Sequence, residues 1–441
     1  MPSPQAFIGR PFKPAYDHTN KVLKCQLDKL SPVLIDYSKK QHTFIIAKSG
    51  GGKSYLAGVV AEELARVMSN YCTLLIDPMG IFSTLKMANT NRVELDAWDA
   101  QCPDEVIPQA VAGCTIWVPA GDVGQFLPGT FDKAFSLKAR EFSQGTLCFA
   151  FDLEVLEPQA ILYKKCQSLL LKARGDYSLG ELVASIHEHG HGFGFQPQTV
   201  ESLCTKLGAL EEIGIVRDDA PEIHDVIREH SVAVLDLSQS SSYTARIVVN
   251  FLAEKLLALR RQITRMVLRA KTSEVLVDKP AWYIPPVQLV LDEAHNYLQR
   301  NPVLRKVIKE GRNCALMMTA ISQSPDLTRD VYANITHVFV GPLVYEDDIQ
   351  AVRAMLPIET SPKEFKQKVH NLTTGTFLYY NVDDKTEKLI KVRPRRTLHP
   401  ASTDLKDERK YFKKQGSAPE SNDSEIDYYA VVAAEMDEAT R

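Results

Sequence analysis

Short runs of apolar residues alternate with longer amphipathic segments along the chain from residue 43. The apolar runs are continuous and rich in β-branched residues, which is typical of strands buried on both faces of a sheet; they lie at 43–47, 72–76, 114–118, 232–237, 287–291 and 316–321. Helical spacing follows the first run at 54–68 and the fourth near 243–271. We expect the last strands at 338–340 and 375–380. The alternation predicts an α/β fold with a parallel sheet as its core.

Three segments depart from this pattern. Residues 1–41 contain several prolines and have room for one or two strands, but not for a full domain. Helices dominate residues 154–227, with candidates at 158–173, 179–189 and 199–213, so we interpret this range as a helical insertion in a domain spanning 42–400. Residues 401–441 are polar, with 6 Lys and Arg against 10 Asp and Glu, and we expect a flexible, acidic-ended tail.

Composition says more about where the protein works and what surface it presents than about the reaction that it performs. The formal net charge of the 441 residues is −3, so any nucleic-acid-binding surface has to be local, for example a pore lining. The eight cysteines form no CxxC pair, which favours reduced thiols and a cytoplasmic location. No stretch of about 18 apolar residues occurs, so we expect no contact with a membrane through a spanning helix.

The clearest chemical motif lies between the first strand and the first helix. Residues 47–54, AKSGGGKS, fit a phosphate-binding P-loop with Ala in place of the first Gly. Glycines let the backbone N–H groups approach phosphates, and the helix that follows points its positive end at them. We therefore predict a RecA-like P-loop NTPase that uses ATP and Mg²⁺, with these nucleotide-binding residues: Ser49, Gly50, Gly51, Gly52, Lys53, Ser54 and Tyr55. Lys53 is expected to reach the β- and γ-phosphates, and Ser54 to ligate Mg²⁺.

The apolar run at 287–291 ends in two carboxylates, Asp292 and Glu293. Strands of a parallel sheet deliver such residues to the carboxyl edge, where α/β folds bind ligands. We expect Asp292 to hold Mg²⁺ through its water shell and Glu293 to orient and polarise the attacking water. Asp77, at the end of the second strand, is either a further acid near the metal or a helix N-cap before Met79, and the sequence leaves both open.

Other polar clusters carry weaker signals. His187 and His191 are four residues apart, but Gly190 is expected to end their helix, and no carboxylate or cysteine pattern adds a metal ligand. The basic run at 391–396, KVRPRR, could contact a nucleic-acid backbone or serve a structural, ring-interface or nucleotide-proximal role. Arg305 and Lys309 share one face of a predicted helix and line either a pore or a solvated surface.

Four ordered motifs resemble those of the HerA/FtsK superfamily of P-loop ring translocases, specifically HerA-like ATPases. After the P-loop they are IDPMGIF from residue 76, LVLDEAHNYL from 289, KEGRNCALMMTAISQSP from 309 and VRPRRTLHP from 392. The DEAH letters at 292–295 also suggest a DEAD/DEAH-type helicase, but the other motifs of that class are absent. HerA proteins generally begin with a small β-barrel, for which the first 41 residues are too few.

The resemblance implies two further catalytic residues. Arg312 lies 19 residues after Glu293, and Gln323 lies 11 residues after Arg312. In related ring motors, similar positions carry an arginine finger and a polar sensor of the γ-phosphate. A cation that reaches the γ-phosphoryl group from the next subunit would stabilise the charge of the transition state. We expect the Gln323 strand to lie beside the Asp292 strand.

The resemblance also implies a function: an ATP-hydrolysing hexameric motor that translocates double-stranded DNA. The partner would be a nuclease, NurA-like, or a defence effector, in DNA end processing or anti-phage defence, because the chain carries no convincing nuclease motif of its own. Two alternatives stay open, namely a scaffold or regulatory ATPase ring that gates a bound effector, and a soluble conjugation or secretion coupling ATPase.

Overall fold

The computed structural model describes residues 5–16, 22–298, 301–325 and 329–400 of the chain. The predicted tail at 401–441 lies outside the described residues. One sheet joins thirteen strands: β1 Gln5–Tyr16, β2 Val22–Leu27, β3 Val33–Asp36, β4 His42–Ile46, β5 Cys72–Asp77, β6 Cys114–Pro119, β7 Lys133–Phe135, β8 Ser231–Asp236, β9 Val287–Leu291, β10 Leu316–Ser322, β11 Ile335–Val340, β12 Thr376–Asn381 and β13 Thr386–Val392.

Thirteen α-helices accompany the strands in this part of the chain. They are α1 Lys53–Val67, α2 Arg92–Asp99, α3 Gln144–Phe151, α4 Pro158–Arg174, α5 Leu179–Gly190, α6 Pro197–Glu212, α7 Ile223–Val226, α8 Ser242–Ser273, α9 His295–Leu298, α10 Pro302–Glu310, α11 Arg329–Tyr332, α12 Glu346–Met355 and α13 Pro362–His370. Short 3-10 helices at Ser83–Lys86, Ala120–Gln125, Ala139–Glu141 and Gly311–Cys314 complete the regular structure. None of the described helices is both long and apolar enough to cross a bilayer.

The parallel core of the sheet confirms the predicted α/β class. Strands β11, β4, β10, β9, β5, β8, β6 and β7 lie side by side in this order, and every neighbouring pair among them is parallel. Their continuous apolar runs are explained by burial on both faces. One face packs against α1, and the other packs against α8, α10 and the helices between β7 and β8. The helices predicted at 158–173, 179–189 and 199–213 correspond to α4, α5 and α6.

The antiparallel side of the sheet corrects two predictions. Residues 5–36 form three strands rather than one or two, and β12 is followed by a further strand, β13, so 375–380 is not the last. Strand β13 begins with the exposed residues Thr386 and Lys388, and only Ile390 and Val392 are buried, so no continuous apolar run marks it. Strand β1 changes partners along its length, from β3 to β13 to β2, and therefore tolerates prolines that a central strand excludes.

A buried ion-pair cluster fastens the end of this sheet to the P-loop helix. Arg393, which has no exposed side-chain surface, donates to Glu62 and Glu63 of α1, with both N–O distances at 2.9 Å. Its Nε also donates to Phe7 O on β1, at 3.0 Å. One guanidinium group therefore connects β1, α1 and the segment after β13.

We expect Arg393→Ala to lower the free energy of unfolding by about 3–5 kcal/mol, because it removes a fully buried cation that bonds two buried carboxylates. The measurement is the urea dependence of circular dichroism. Arg174→Ala is a matched control, because its ion pair with Glu181 is exposed and is expected to contribute less than about 1 kcal/mol. Equal effects of the two substitutions would contradict a stabilising role for the buried cluster.

Candidate active site

The P-loop joins β4 to α1 at the carboxyl edge of the sheet. Gly50 and Gly52 adopt φ angles of 72° and 94°, in the left-handed region that glycine tolerates best. A Cβ at Gly51 would lie 2.8 Å from the Ala47 Cβ, so a side chain does not fit there without a shift. The three glycines are therefore required by backbone geometry, and Ser49 beside them is exposed.

Lys53 and Ser54 occupy the first turn of α1 as predicted. Lys53 is only 5% exposed, and its Nζ donates to Lys48 O at 3.3 Å. Burial lowers the pKa of Lys53, and the carboxylates of Glu293 and Asp292 oppose this effect. Ser54 Oγ donates to Asp292 Oδ2 at 3.0 Å, across 238 residues of sequence. The structure thus brings the P-loop and the end of β9 into direct contact.

Asp292 is fully buried, and burial raises its pKa to about 6. A hydroxyl and a carboxylate 3.0 Å apart offer the oxygen ligands that Mg²⁺ prefers in nucleotide sites, where it keeps several waters. Because burial makes this carboxylate costly to ionise, a cation beside it would stabilise its charged form. Ser54 and Asp292 therefore fit the metal role predicted for them.

Glu293 and Gln323 contact each other across neighbouring strands. Gln323 Nε2 donates to Glu293 Oε1 at 2.8 Å, and β10 pairs with β9 as expected. Glu293 adopts a φ of 48°, an unusual conformation for a non-glycine residue and one often found at functional sites. This pair lies at the same edge of the sheet as the P-loop.

Two contacts of this site were not predicted from the sequence. His295 Nδ1 lies 3.4 Å from the second carboxylate oxygen of Glu293, and neither atom has a hydrogen-bond partner in the described structure. Thr374 Oγ1 donates to Gly50 O at 3.0 Å, so the turn before β12 supports the P-loop. The i, i+2 spacing of Glu293 and His295 could have suggested the first contact, whereas nothing local in the sequence indicates the second.

Asp77 and Tyr55 have side chains committed to protein contacts. Asp77 accepts hydrogen bonds from the backbone N–H groups of Met79 and Phe82, at 3.2 and 2.7 Å. No helix begins at Met79, so Asp77 closes a turn there instead of capping a helix. Burial, followed by the charges of Asp236 and Asp292, raises its pKa to about 7. Tyr55 Oη donates to Glu94 at 2.6 Å and accepts from Arg395 N at 2.7 Å.

Arg312 lies at the opposite edge of the sheet from the P-loop. It belongs to the 3-10 helix that precedes β10, whereas the P-loop follows the parallel neighbour β4. Arg312 lies close enough to the start of β4 to affect His42. Burial, followed by the positive charge of Arg312, lowers the pKa of His42 to about 4. A strand rises about 3.3 Å per residue, so the seven residues of β10 place Arg312 on the order of 20 Å from its own phosphate site.

The structure also locates the three other polar clusters of the sequence, namely the basic run at 391–396, the histidines of α5 and the basic residues of α10. Arg393 and Arg395 of the basic run are fully buried, so they cannot contact a nucleic-acid backbone. Helix α5 ends at Gly190 as predicted, and in the described ranges no three or more His, Cys, Asp or Glu side chains are grouped as ligands of one metal ion. Arg305 and Lys309 lie on α10, and Arg305 Nε donates to Leu298 O at 3.4 Å.

Structural comparison supports the fold that the motifs predict. The plasmid coupling protein TrwB in complex with the non-hydrolysable ATP analogue ADPNP aligns with a TM-score of 0.53 and 13% identity, over 90% of this chain and 98% of that one. TrwB in complex with ADP and Mg²⁺ gives 0.52 and 12%, over 89% and 97%. At such identities the likeness concerns the fold alone. No curated protein matches the sequence.

Comparison of the sequence with models of protein families identifies the family. The family model of the HerA helicase central domain matches residues 23–256, more than half of the chain. The matched range contains the P-loop, α1 and strands β3 to β8. The chain therefore belongs to the HerA helicase central-domain family of P-loop ATPases.

Proposed function

We propose that this protein is an ATP-hydrolysing ring motor, a hexamer that translocates double-stranded DNA. One observation carries the proposal: each chain holds the phosphate-binding half of a site at one edge of its sheet and Arg312 at the other. A monomer cannot combine the two, whereas a head-to-tail ring combines them at every interface. The ring form, the DNA substrate and a NurA-like nuclease or defence effector as partner are parts of this proposal.

The residues of the phosphate-binding half have separate roles in hydrolysis. The backbone of 49–55 and Lys53 bind the phosphates of ATP. Ser54 and Asp292 would hold Mg²⁺, which would neutralise negative charge on the phosphates. Glu293 orients the attacking water and accepts its proton. Gln323 binds Glu293 at 2.8 Å and can exchange this contact for one with the γ-phosphate, so it reports the nucleotide state. Arg312 of the next subunit stabilises the charge that develops on the γ-phosphoryl group.

The pKa of Asp292 gives a prediction for metal binding. Because its pKa is about 6, Asp292 is mostly ionised at pH 7.5 and mostly protonated at pH 5.5. Mg²⁺ needs the ionised carboxylate, so we expect its affinity in the presence of ADP to fall severalfold between these pH values. Titration calorimetry with Mg²⁺ measures this, and Asp292→Asn is expected to bind weakly at both. Equal affinity of the unmodified protein at both pH values would argue against Asp292 as the metal-binding acid.

The DNA substrate is tested by ATP turnover with and without duplex DNA. A motor whose ring encloses the duplex is expected to hydrolyse ATP faster when DNA is present, with a loss of stimulation at high salt because phosphate contacts are screened. Turnover that responds to a partner protein but not to DNA would favour a regulatory ring and contradict translocation as the main function.

A further inference from the structure

A cavity outside the phosphate site lies beside the C-terminal half of α1. It has a volume of about 240 Å³ and is lined by Glu62, Arg66, His230, Arg396 and the segment 109–112. Arg66 lies in the last turn of α1, thirteen residues from Lys53, and a helix rises about 1.5 Å per residue. Glu62, which also lines the cavity, is nine residues from Lys53, so the cavity begins on the order of 15 Å from the P-loop.

Arg396 lines this cavity, and its guanidinium group is paired only loosely with protein atoms. Its side chain is 16% exposed, and its Nε is buried with no hydrogen bond in the described structure. The nearest carboxylate oxygen, Oε1 of Glu63, is 3.7 Å from that Nε, beyond hydrogen-bond distance. Burial, followed by repulsion from Arg393, lowers the pKa of Arg396. A guanidinium group that is mostly withdrawn from water and only loosely paired is costly to bury, and an anion bound at this group from the cavity would lower that cost.

The local charges also favour an anion. Four guanidinium groups, from Arg66, Arg393, Arg395 and Arg396, surround two carboxylates, from Glu62 and Glu63, which leaves a net charge of +2. The Glu62 carboxylate, which lines the cavity, is occupied: it accepts hydrogen bonds from Arg393 Nη1, from Arg396 N and from the backbone and hydroxyl of Thr397. Arg66 donates to Glu63 Oε2 at 2.6 Å, whereas Arg396 is 3.7 Å from Glu63 Oε1, so Arg396 is the more weakly paired of the two arginines that line the cavity.

We propose that this cavity is a binding site for a phosphate group, held by Arg396 and Arg66. Guanidinium groups bind phosphate through paired N–H donors, and the double charge of phosphate matches the local excess. The volume is below the roughly 300–1,000 Å³ of pockets that hold drug-sized ligands, so one phosphate group fits better than a whole nucleotide. The group belongs either to free inorganic phosphate or to a nucleic-acid backbone.

The first arm of the test uses inorganic phosphate. Protein saturated with Mg²⁺ and a non-hydrolysable ATP analogue, which occupies the P-loop, is titrated with phosphate against a chloride blank of equal ionic strength. We expect saturable binding that Arg396→Ala weakens roughly 10- to 100-fold, as for loss of a charge-assisted hydrogen bond. Arg396→Lys, which keeps the charge without the fork, is expected to bind with intermediate affinity. Arg269→Ala, an exposed arginine on α8, should bind like the unmodified protein.

The second arm measures duplex DNA binding as a function of salt concentration. If the site takes a backbone phosphate, Arg396→Ala should reduce the slope of log affinity against log salt by about one, while Arg269→Ala leaves it unchanged. Melting curves of all variants establish that they fold, and Arg396→Lys provides the comparison should Arg396→Ala unfold. Absence of saturable phosphate binding together with an unchanged salt slope would overturn the proposal, as would equal losses in the Arg396 and Arg269 variants. Both arms are independent of ATP turnover, so their outcome is separable from that of the motor proposal.

Discussion

Arg312→Ala is expected to lower ATP turnover by about 10³–10⁵-fold, the usual contribution of an arginine finger. The protein should still fold and bind ATP, because Arg312 lies outside the phosphate-binding half of its own subunit and is only partly buried. Steady-state turnover and nucleotide affinity measured on the same preparation separate the two effects. Asn313→Ala, an exposed neighbour in the same 3-10 helix, is the matched control and should retain full activity.

Mixed rings test whether Arg312 acts on the neighbouring subunit. Neither Arg312→Ala nor Lys53→Ala is expected to be active alone. When the two variants are mixed and subunits exchange, some interfaces combine an intact Lys53 with an intact Arg312, and partial turnover should return. Substantial activity of Arg312→Ala alone would exclude a finger. Failure of rescue, once fluorescence energy transfer has confirmed exchange, would count against action in trans.

Lys53→Ala and Glu293→Gln are both expected to abolish hydrolysis, but for different reasons. Loss of the Lys53 ammonium removes a phosphate-binding cation and should weaken ATP affinity roughly 10- to 100-fold. Glu293→Gln retains the size of the side chain and a polar contact for Gln323, so ATP should bind normally. Its turnover should nevertheless fall by about 10²–10⁴-fold because the general base is lost.

Nucleotide affinity by calorimetry and turnover by phosphate release distinguish these two outcomes. Ser49→Ala is a suitable control, because the Ser49 side chain is exposed and only its backbone is assigned to the nucleotide. Turnover of Glu293→Gln close to that of the unmodified protein would exclude Glu293 as the base. Unchanged ATP affinity in Lys53→Ala would exclude the assigned contact between Lys53 and the phosphates.

The parallel core was predictable because burial on both faces leaves a local signal. Strands such as β4 and β9 are fully buried, and their sequences, HTFII and VQLVL, are largely apolar. Strand β13, TEKLIKV, is buried at Ile390 and Val392 alone, and its first three residues are polar, so its sequence does not stand out as a strand. Its position between β1 and β12 depends on pairings across the length of the chain, which no local pattern encodes.

In the candidate site, too, some features have a local sequence signal and others depend on contacts between distant residues. The P-loop glycines and the pair Asp292 and Glu293 are recognisable because strand, turn chemistry and helix are contiguous in sequence. The basic run at 391–396 was open to several readings, since its partners Glu62 and Glu63 are some 330 residues away. Only the folded chain separates the buried arginines Arg393 and Arg395 from Arg396, which faces a cavity.

The most direct test of a DNA-translocating ring is an electron microscopy reconstruction of the protein with duplex DNA and a non-hydrolysable ATP analogue. We predict a closed ring in which each nucleotide lies between Lys53 of one subunit and Arg312 of the next, with the duplex in the central pore. A nucleotide-bound monomer, or a ring whose Arg312 residues face away from the nucleotides and whose pore is empty, would contradict the proposed function.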